Sequence, residues 1–308
     1  MTASPQVSVV MGVYNGAQLL RDSVQSVLSQ ENVEFEFIVV DDGSTDTSGS
    51  LLDGIAAQDP RVRVIHQENC GLTRALIRGC ASARGKFIAR QDCGDLSLPG
   101  RLRNELHAIE SLPEAVLISC GTRFVGPHGE PLYDVVVSED DASAGLLTLD
   151  PQRLRGPSHH GSTLFRRDLY ERVGGYREQF YFAQDLDLWT RMAEHGRHIA
   201  MSQILYQARF TLDSISSLQR LRQIESSKVI LECARLRRAG LSEATAISKA
   251  KSIQPDGRHV AASDVASALY FVGVCLRKRG DPRATQYFRD ALRTYPLHFK
   301  SAVRLLTG

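Results

Sequence analysis

Two short acidic segments have residue types and spacing that can do chemistry. In Val39-Val40-Asp41-Asp42-Gly43-Ser44-Thr45-Asp46, an apolar run ends in two adjacent carboxylates and a glycine. Carboxylates placed there can accept hydrogen bonds from the N–H of a uracil and the O–H groups of a ribose. The competing reading is an Asx-type turn with solvated acids, and this loop alone leaves the two even. In Ala89-Arg90-Gln91-Asp92-Cys93-Gly94-Asp95, a second apolar run ends in carboxylates three positions apart. Mg²⁺ or Mn²⁺ prefers a few carboxylate oxygens plus phosphate and water, so Asp92 and Asp95 can hold such a cation against a diphosphate. There it stabilises the charge that grows on a leaving group. The competing reading makes Asp95 a helix cap near Pro99 and leaves Asp92 solvated.

These segments need a scaffold that brings them together, and the periodicity supplies one. Residues 7–13 (VSVVMGV) read as a strand, Asn15-Gly16 as a loop, and Leu20, Val24, Val27 and Leu28 as the apolar face of a helix. The unit recurs with a strand over 35–40, a polar loop over 41–46 and a short helix marked by Leu51, Leu52 and Ile55. A strand at 62–65, a helix over about 72–83, a strand starting at 87–89 and a helix begun by Pro99 follow. This alternation predicts an α/β fold around a parallel sheet, with ligands at the carboxyl ends of the strands. Tyr14-Asn15, Asp41-Asp42 and 91–95 then share one rim. From about 115 to 137 the pattern reads as short strands, making the sheet mixed, and 138–144 reads as a loop. His159-His160, a strand over 162–165, a helix ending at Gly174-Gly175 and a helix over roughly 185–195 come next. Beyond Thr211 the pattern is almost entirely helical. Ala284, Phe288, Ala291, Leu292 and Pro296, after the turn Gly280-Asp281-Pro282, match one tetratricopeptide-like hairpin. A single hairpin cannot bury its own face, so a structural cap is favoured over a peptide-binding array.

Composition narrows the function. The chain has 308 residues, 43% hydrophobic and 23% charged, as ordinary globular proteins do. With 37 Lys plus Arg against 35 Asp plus Glu, the net charge of +2 gives no field for nucleic acid, which is excluded as the favoured partner. Six scattered cysteines form no CxxC pair and read as reduced thiols of a cytosolic protein. No apolar stretch reaches the ~18 residues of a membrane span, and the N-terminus carries no signal-peptide pattern.

The segments VSVVMGVYN, IVVDDGSTD, GLTRALIRGCASARGKFIARQDCGDLSLPGRL and FAQDLDLWTRMAEHG, in that order, resemble family 2 glycosyltransferases over roughly residues 7–215. The resemblance implies the A-type glycosyltransferase fold, Rossmann-like, in a catalytic domain over 1–215. Its nucleotide-binding half covers about 1–110, its acceptor half about 111–215, and a helical C-terminal region follows over 216–308. It implies a hexosyltransferase-type enzyme that moves a sugar from a nucleotide-sugar donor, UDP-linked in most relatives, with inversion. The acceptor is a hydroxyl of a glycan or lipid-linked oligosaccharide in bacterial surface polysaccharide assembly. The expected location is the cytoplasm, with peripheral contact at the inner membrane surface.

Carried onto this sequence, the resemblance puts Val13 and Tyr14 in the base pocket and lets Asp41 or Asp42 read uracil and ribose. Arg74 and Arg78 approach the diphosphate unless they are solvated helix charges. Asp92 and Asp95 fall in the metal loop, and Asp185 is the acid that deprotonates the acceptor. Asp187, Trp189 and Arg191 belong to the extension of that motif and are acceptor-side candidates; His160 is a candidate for acceptor or donor phosphate, evenly with a locally bonded loop histidine, and packing is the better reading of Trp189. Arg209 is a candidate phosphate contact in the closing stretch 206–216. Two positions depart from the family pattern: Gly94 replaces a metal-loop Asp, and Gln184 replaces a Glu. They support a rival reading, a catalytically inactive sugar-nucleotide-binding protein with a regulatory or scaffolding role. A dinucleotide-dependent oxidoreductase would need a GxGxxG turn where this sequence has Met11-Gly12-Val13-Tyr14-Asn15-Gly16.

Overall fold

The computed structural model describes residues 4–212, 219–255 and 261–306. The first half of the sheet begins with β1 (Val7–Val13), α1 (Ala17–Leu28), β2 (Phe35–Asp42) and α2 (Ser48–Ala56). It continues with β3 (Val62–Gln67), α3 (Leu72–Ala81), β4 (Phe87–Arg90), β5 (Leu96–Ser97) and α4 (Arg101–Ser111). Strands β3, β2, β1 and β4 lie side by side and parallel. Val7, Val9 and Met11 of β1 and Phe37 and Val39 of β2 face one side, with α1 and α4. Val10 and Ile38 face the other, with Leu76 of α3. A sheet covered on both faces needs both residue sets apolar, which is why these strands are continuous hydrophobic runs.

The second half consists of β6 (Ala115–Val125), β7 (Pro131–Val135), α5 (Glu139–Leu147), β8 (Thr163–Arg166), α6 (Arg167–Arg172), α7 (Gln184–Ala193) and β9 (Arg197–Arg209). β8 joins antiparallel to β4, then β6 antiparallel to β8, β9 parallel to β6, and β5 antiparallel to β9, so one mixed sheet unites both halves. β7 pairs with the second half of β6.

Three expectations need correction. The segment 138–144 is not a loop but falls almost wholly in α5, because Ala142 and Leu146 are buried and Ser143 donates to the His198 carbonyl at 3.1 Å. β2 does not stop at Val40 but carries Asp41 and Asp42 within the ladder, opposite His66 and Gln67 of β3. The 13-residue β9 occupies the interval between the helix expected over 185–195 and the closing stretch from 206, where no strand is expected, and runs into that stretch. Its alternation is irregular because its register against β6 shifts, and the two-residue β5 is too short for any periodicity to show.

The helical region holds α8 (Arg220–Arg238), α9 (Ala244–Ser252), α10 (Ala262–Lys278), α11 (Ala284–Thr294) and α12 (Phe299–Leu306). Val229, Ile230 and Cys233 of α8 and Ala246 and Ala250 of α9 pack on Phe180 and Phe182. The α10–α11 hairpin buries Leu269, Val272 and Phe288 with Leu132 of β7. The 215/216 boundary, and the part of the closing stretch beyond Leu212, lie outside the described residues.

Candidate active site

The metal-loop candidates sit on a frame of buried cations. Arg90 is fully buried at the end of β4. It donates to Asp92 Oδ1 at 2.6 Å, to His160 Nε2 at 3.3 Å, and to the Val10 carbonyl. Arg101, also fully buried, donates to the Arg90 carbonyl at 2.9 Å and the Ser97 hydroxyl at 2.9 Å, and its guanidinium lies 4.9 Å from the Tyr206 ring centroid. Tyr206 closes the loop: its hydroxyl accepts from the Asp92 N–H at 3.1 Å and donates to Asp95 Oδ2 at 3.0 Å. A Cβ on Gly161 would lie 1.9 Å from that hydroxyl, so only glycine leaves it room.

Asp95 Oδ1 takes the Arg209 N–H at 2.8 Å, and His159 stacks on Tyr206 with its Nδ1 3.6 Å from Asp95 Oδ2 and 3.9 Å from Asp92 Oδ2. Asp92, Asp95 and His159 can each offer a ligand atom within 4.8 Å of the others. Burial pushes the Asp95 carboxyl up to about 6, and the neighbouring Asp92 charge adds to it, against hydrogen bonds from Arg209 and Tyr206. Burial also acts to raise Asp92, but Arg90 leads the charges that outweigh it and hold Asp92 below the usual range. Gly94 between them has φ of +100°, a backbone state that an Asp side chain resists, and its N–H donates to Ser23 Oγ at 2.8 Å. The missing family carboxylate is thus tied to the local backbone.

Asp185 enters from α7. The helix begins after Ala183, held at φ of +55°, and Asp185 Oδ1 accepts the Leu186 N–H at 2.8 Å. Burial and then the Asp92 charge raise its pKa above the ordinary 3.8. A cavity of about 700 Å³ is lined by Asp92, His159, His160, Asp185, Arg74 and Glu178, together with Gln223 and Ser227 of α8 and Lys251 of α9. Arg74 pairs with Glu178 at 3.2 Å, both half-exposed. Arg78 donates to Gln67 Oε1 at 3.5 Å.

The proposed base pocket forms a separate rim. Tyr14 is exposed and Val13 buried. Asn15 ties the β1 loop to the β2 loop, accepting from the Thr45 N–H at 2.8 Å and donating its own N–H to Ser44 Oγ at 3.0 Å. Asp41 accepts from Ser44 N–H on one oxygen at 3.1 Å and contacts His66 through the other at 2.9 Å. Asp42 accepts Gln67 and the Cys70 N–H on Oδ1 and the Gly71 N–H on Oδ2, fastening the loop before α3. Cys70 and Gly71 in turn edge the cavity. Asp42 is therefore the more heavily engaged acid, while Asp41, also buried, meets Ser44 and His66.

Residues 8–174, more than half of the chain, match Glycosyl transferase family 2. This chain belongs to glycosyltransferase family 2. EpsE of Bacillus subtilis (strain 168), named as a glycosyltransferase, is 29% identical over 254 residues, covering 81% of this chain and 89% of EpsE. A Rickettsia bellii (strain RML369-C) protein named an uncharacterized glycosyltransferase is 30% identical over 214 residues; they cover 68% of this chain but only 30% of that relative. S. aureus TarS 1-349 in complex with UDP-GlcNAc shares the fold with a TM-score of 0.58 at 15% identity, over 94% of this chain and 81% of that one. Mannosyltransferase PcManGT of Pyrobaculum calidifontis, in complex with GDP-Man and Mn²⁺, gives 0.57 at 19% identity over 99% and 88%. The fold is the A-type glycosyltransferase fold with added C-terminal helices, and the protein is a glycosyltransferase.

Within this family 2 transferase, two acceptor-side candidates are not in the cavity. Asp187 and Arg191 lie on the face of α7 away from Asp185. Asp187 is buried and binds Arg177 at 2.6 Å and Arg191 at 2.7 Å, while Arg191 also donates to the Val173 and Gly175 carbonyls. Their two-residue offsets from Asp185 and Trp189 imply opposite helix faces, a signal present in the sequence. His160 borders the cavity but is occupied: Nε2 accepts from Arg90 and from the Tyr176 hydroxyl at 2.7 Å, and burial pushes its pKa down to about 3. Trp189 is 3% exposed in the core, with Gly156 against its ring. Arg209 reaches Asp95 by its backbone and the Pro127 carbonyl by its side chain. The polar wall from α8 and α9, and the frame of Arg90, Arg101 and Tyr206, were missed; a buried arginine has no local sequence pattern.

Proposed function

We propose that this glycosyltransferase moves a sugar from a UDP-linked donor, with inversion, to a hydroxyl of a glycan or lipid-linked acceptor in bacterial surface polysaccharide assembly. The observation that carries the mechanism is the placement of Asp92 and Asp185 on one cavity, with Asp185 raised above the usual carboxylate range. A raised pKa makes the ionised Asp185 a stronger base toward a hydroxyl proton. In this reading the donor runs from the rim of Tyr14 and Asp41 toward Asp92. The acceptor occupies the cavity beside Asp185 and Trp189. Asp185 takes the hydroxyl proton as the acceptor oxygen attacks the anomeric carbon, and the bond to the diphosphate breaks on the opposite side. The donor assignment is supported by the structural neighbours solved with UDP and UDP-GlcNAc, while the acceptor class rests on family analogy. No helix among the described residues is long and apolar enough to cross a membrane; we place the enzyme in the cytoplasm with peripheral contact at the inner membrane.

The donor set of two carboxylates and an imidazole fits a hard divalent cation, and the burial that raises Asp95, with the lesser repulsion from Asp92, is what such a cation would offset. Mg²⁺ or Mn²⁺ held by Asp92 and Asp95, with His159 as a third group, would neutralise charge on the leaving diphosphate. The rival reading, donor binding without turnover, is supported by Gly94 and Gln184.

Calorimetric titration of UDP into the wild type, Asp92→Ala and Asp95→Ala, with and without Mn²⁺, tests the site. Binding enhanced by Mn²⁺ and weakened in either variant is expected. Equal binding without the metal overturns the metal assignment, and absence of UDP binding overturns the donor. Release of UDP from UDP-sugars separates the enzyme from its inactive rival.

A further inference from the structure

Outside the cavity, Asp41 of the donor rim is joined to His66 and through it to Asp53, two groups that the proposed chemistry does not use. His66, on the edge strand β3, sits opposite Asp41 in the ladder. Its Nδ1 is 2.9 Å from Asp41 Oδ2 and its Nε2 is 3.0 Å from Asp53 Oδ1 of α2. A neutral imidazole carries one N–H, whereas carboxylates at both ring nitrogens call for two donors, so the arrangement is built for an imidazolium. These acids, from β2 and α2, are the charged groups facing the ring from the two elements packed on β3. The ring and Asp53 are substantially exposed, yet Asp41 is almost fully covered. With Ser44 on Oδ1 and His66 on Oδ2, the Asp41 carboxylate is pinned at both oxygens.

We propose that His66, braced by Asp53, is a positioning residue of the donor site that fixes the Asp41 carboxylate for the base and ribose of a uridine nucleotide. The proposal rests on the reading of Asp41 as the donor-recognising acid. The hydrogen bonds to Asp41 and Asp53 raise the imidazole above its ordinary 6.5, and the same contact helps to hold Asp41 low despite its burial. As pH rises through the raised value, the ring keeps one N–H and must give up one carboxylate.

The test is UDP titration with Mn²⁺ at pH 6.5 and 8.5 on wild type, His66→Ala, His66→Asn and Asp41→Ala, each checked for folding by thermal melting. His66→Ala should weaken UDP binding about tenfold at pH 6.5, the value of one charge-assisted hydrogen bond, and weaken it less at pH 8.5. His66→Asn, which keeps a donor near the Nδ1 position but cannot titrate, should recover most of the affinity and lose the wild type's additional pH response. Comparison at matched pH cancels the titration of UDP itself. Wild-type affinity and pH response in His66→Ala, beside a weakened Asp41→Ala, overturn the role of His66 alone. Undiminished binding in Asp41→Ala overturns the Asp41 reading and this proposal with it.

Discussion

Asp185 and Asp187 stand two residues apart on α7 in opposite electrostatic settings. Asp187 is closed in by Arg177 and Arg191, and Arg177 passes on to Glu243 at 2.9 Å, which also takes Arg237 at 2.9 Å. In this network each acid meets two arginines, and it joins α7 to the helical region. Asp185 has no ion pair among the described residues, shares its cavity with Asp92, and is raised by burial and by that neighbouring charge. Buried charge that is fully paired supports a scaffold, and its loss is costly. A carboxylate left without a cation beside a cavity is a candidate for chemistry.

The sharpest test of this contrast is Asp185→Asn. Loss of the base should lower kcat by about 10³-fold, with UDP affinity unchanged; retention of a substantial fraction of activity would remove Asp185 from the reaction. Because the folded-state pKa is raised, ionising Asp185 costs stability as pH rises through it, so the Asn variant should melt no lower than wild type at pH 7. Wild-type activity should fall as pH drops through a value above 3.8, the base being lost by protonation.

Asp187→Ala should do the reverse. It takes the carboxylate from the buried Arg191 and one of two from the part-buried Arg177, which keeps Glu243, and should cost about 3 kcal/mol of stability, read as a lower thermal midpoint, while kcat of the folded fraction stays near wild type. A large kcat loss without destabilisation would put Asp187 back in the acceptor site. Trp189→Phe should change least. The indole N–H is buried without a hydrogen-bond partner among the described residues, so removing it sacrifices no bond, and a loss below about 1.5 kcal/mol is expected with acceptor KM unchanged. A raised acceptor KM at unchanged stability would restore the stacking role.

The first half of the fold was legible because a strand covered on both faces must be an apolar run, as in 7–13 and 35–40, and each is followed by helical spacing. α5 was not, since 138–144 has loop composition and becomes helical where Ala142 and Leu146 find a buried surface. β9 was obscured by its register shifts. At the site, motif order singled out Asp92 and Asp185, which the fold brings to one cavity, and equally Asp187 and Arg191, which it turns to the other face of α7.

The sequence by itself determined where the acids stand: at the ends of β2 and β4 and at the start of a helix, positions set by local periodicity and turn residues. Only the tertiary structure decided which acids are neutralised and which remain charged and available. Their partners arrive from remote segments, Tyr206 to Asp95 across 111 residues and Glu243 to Arg177 across 66. A carboxylate's pKa depends on the charges and water around it in space, and chain order does not specify those neighbours.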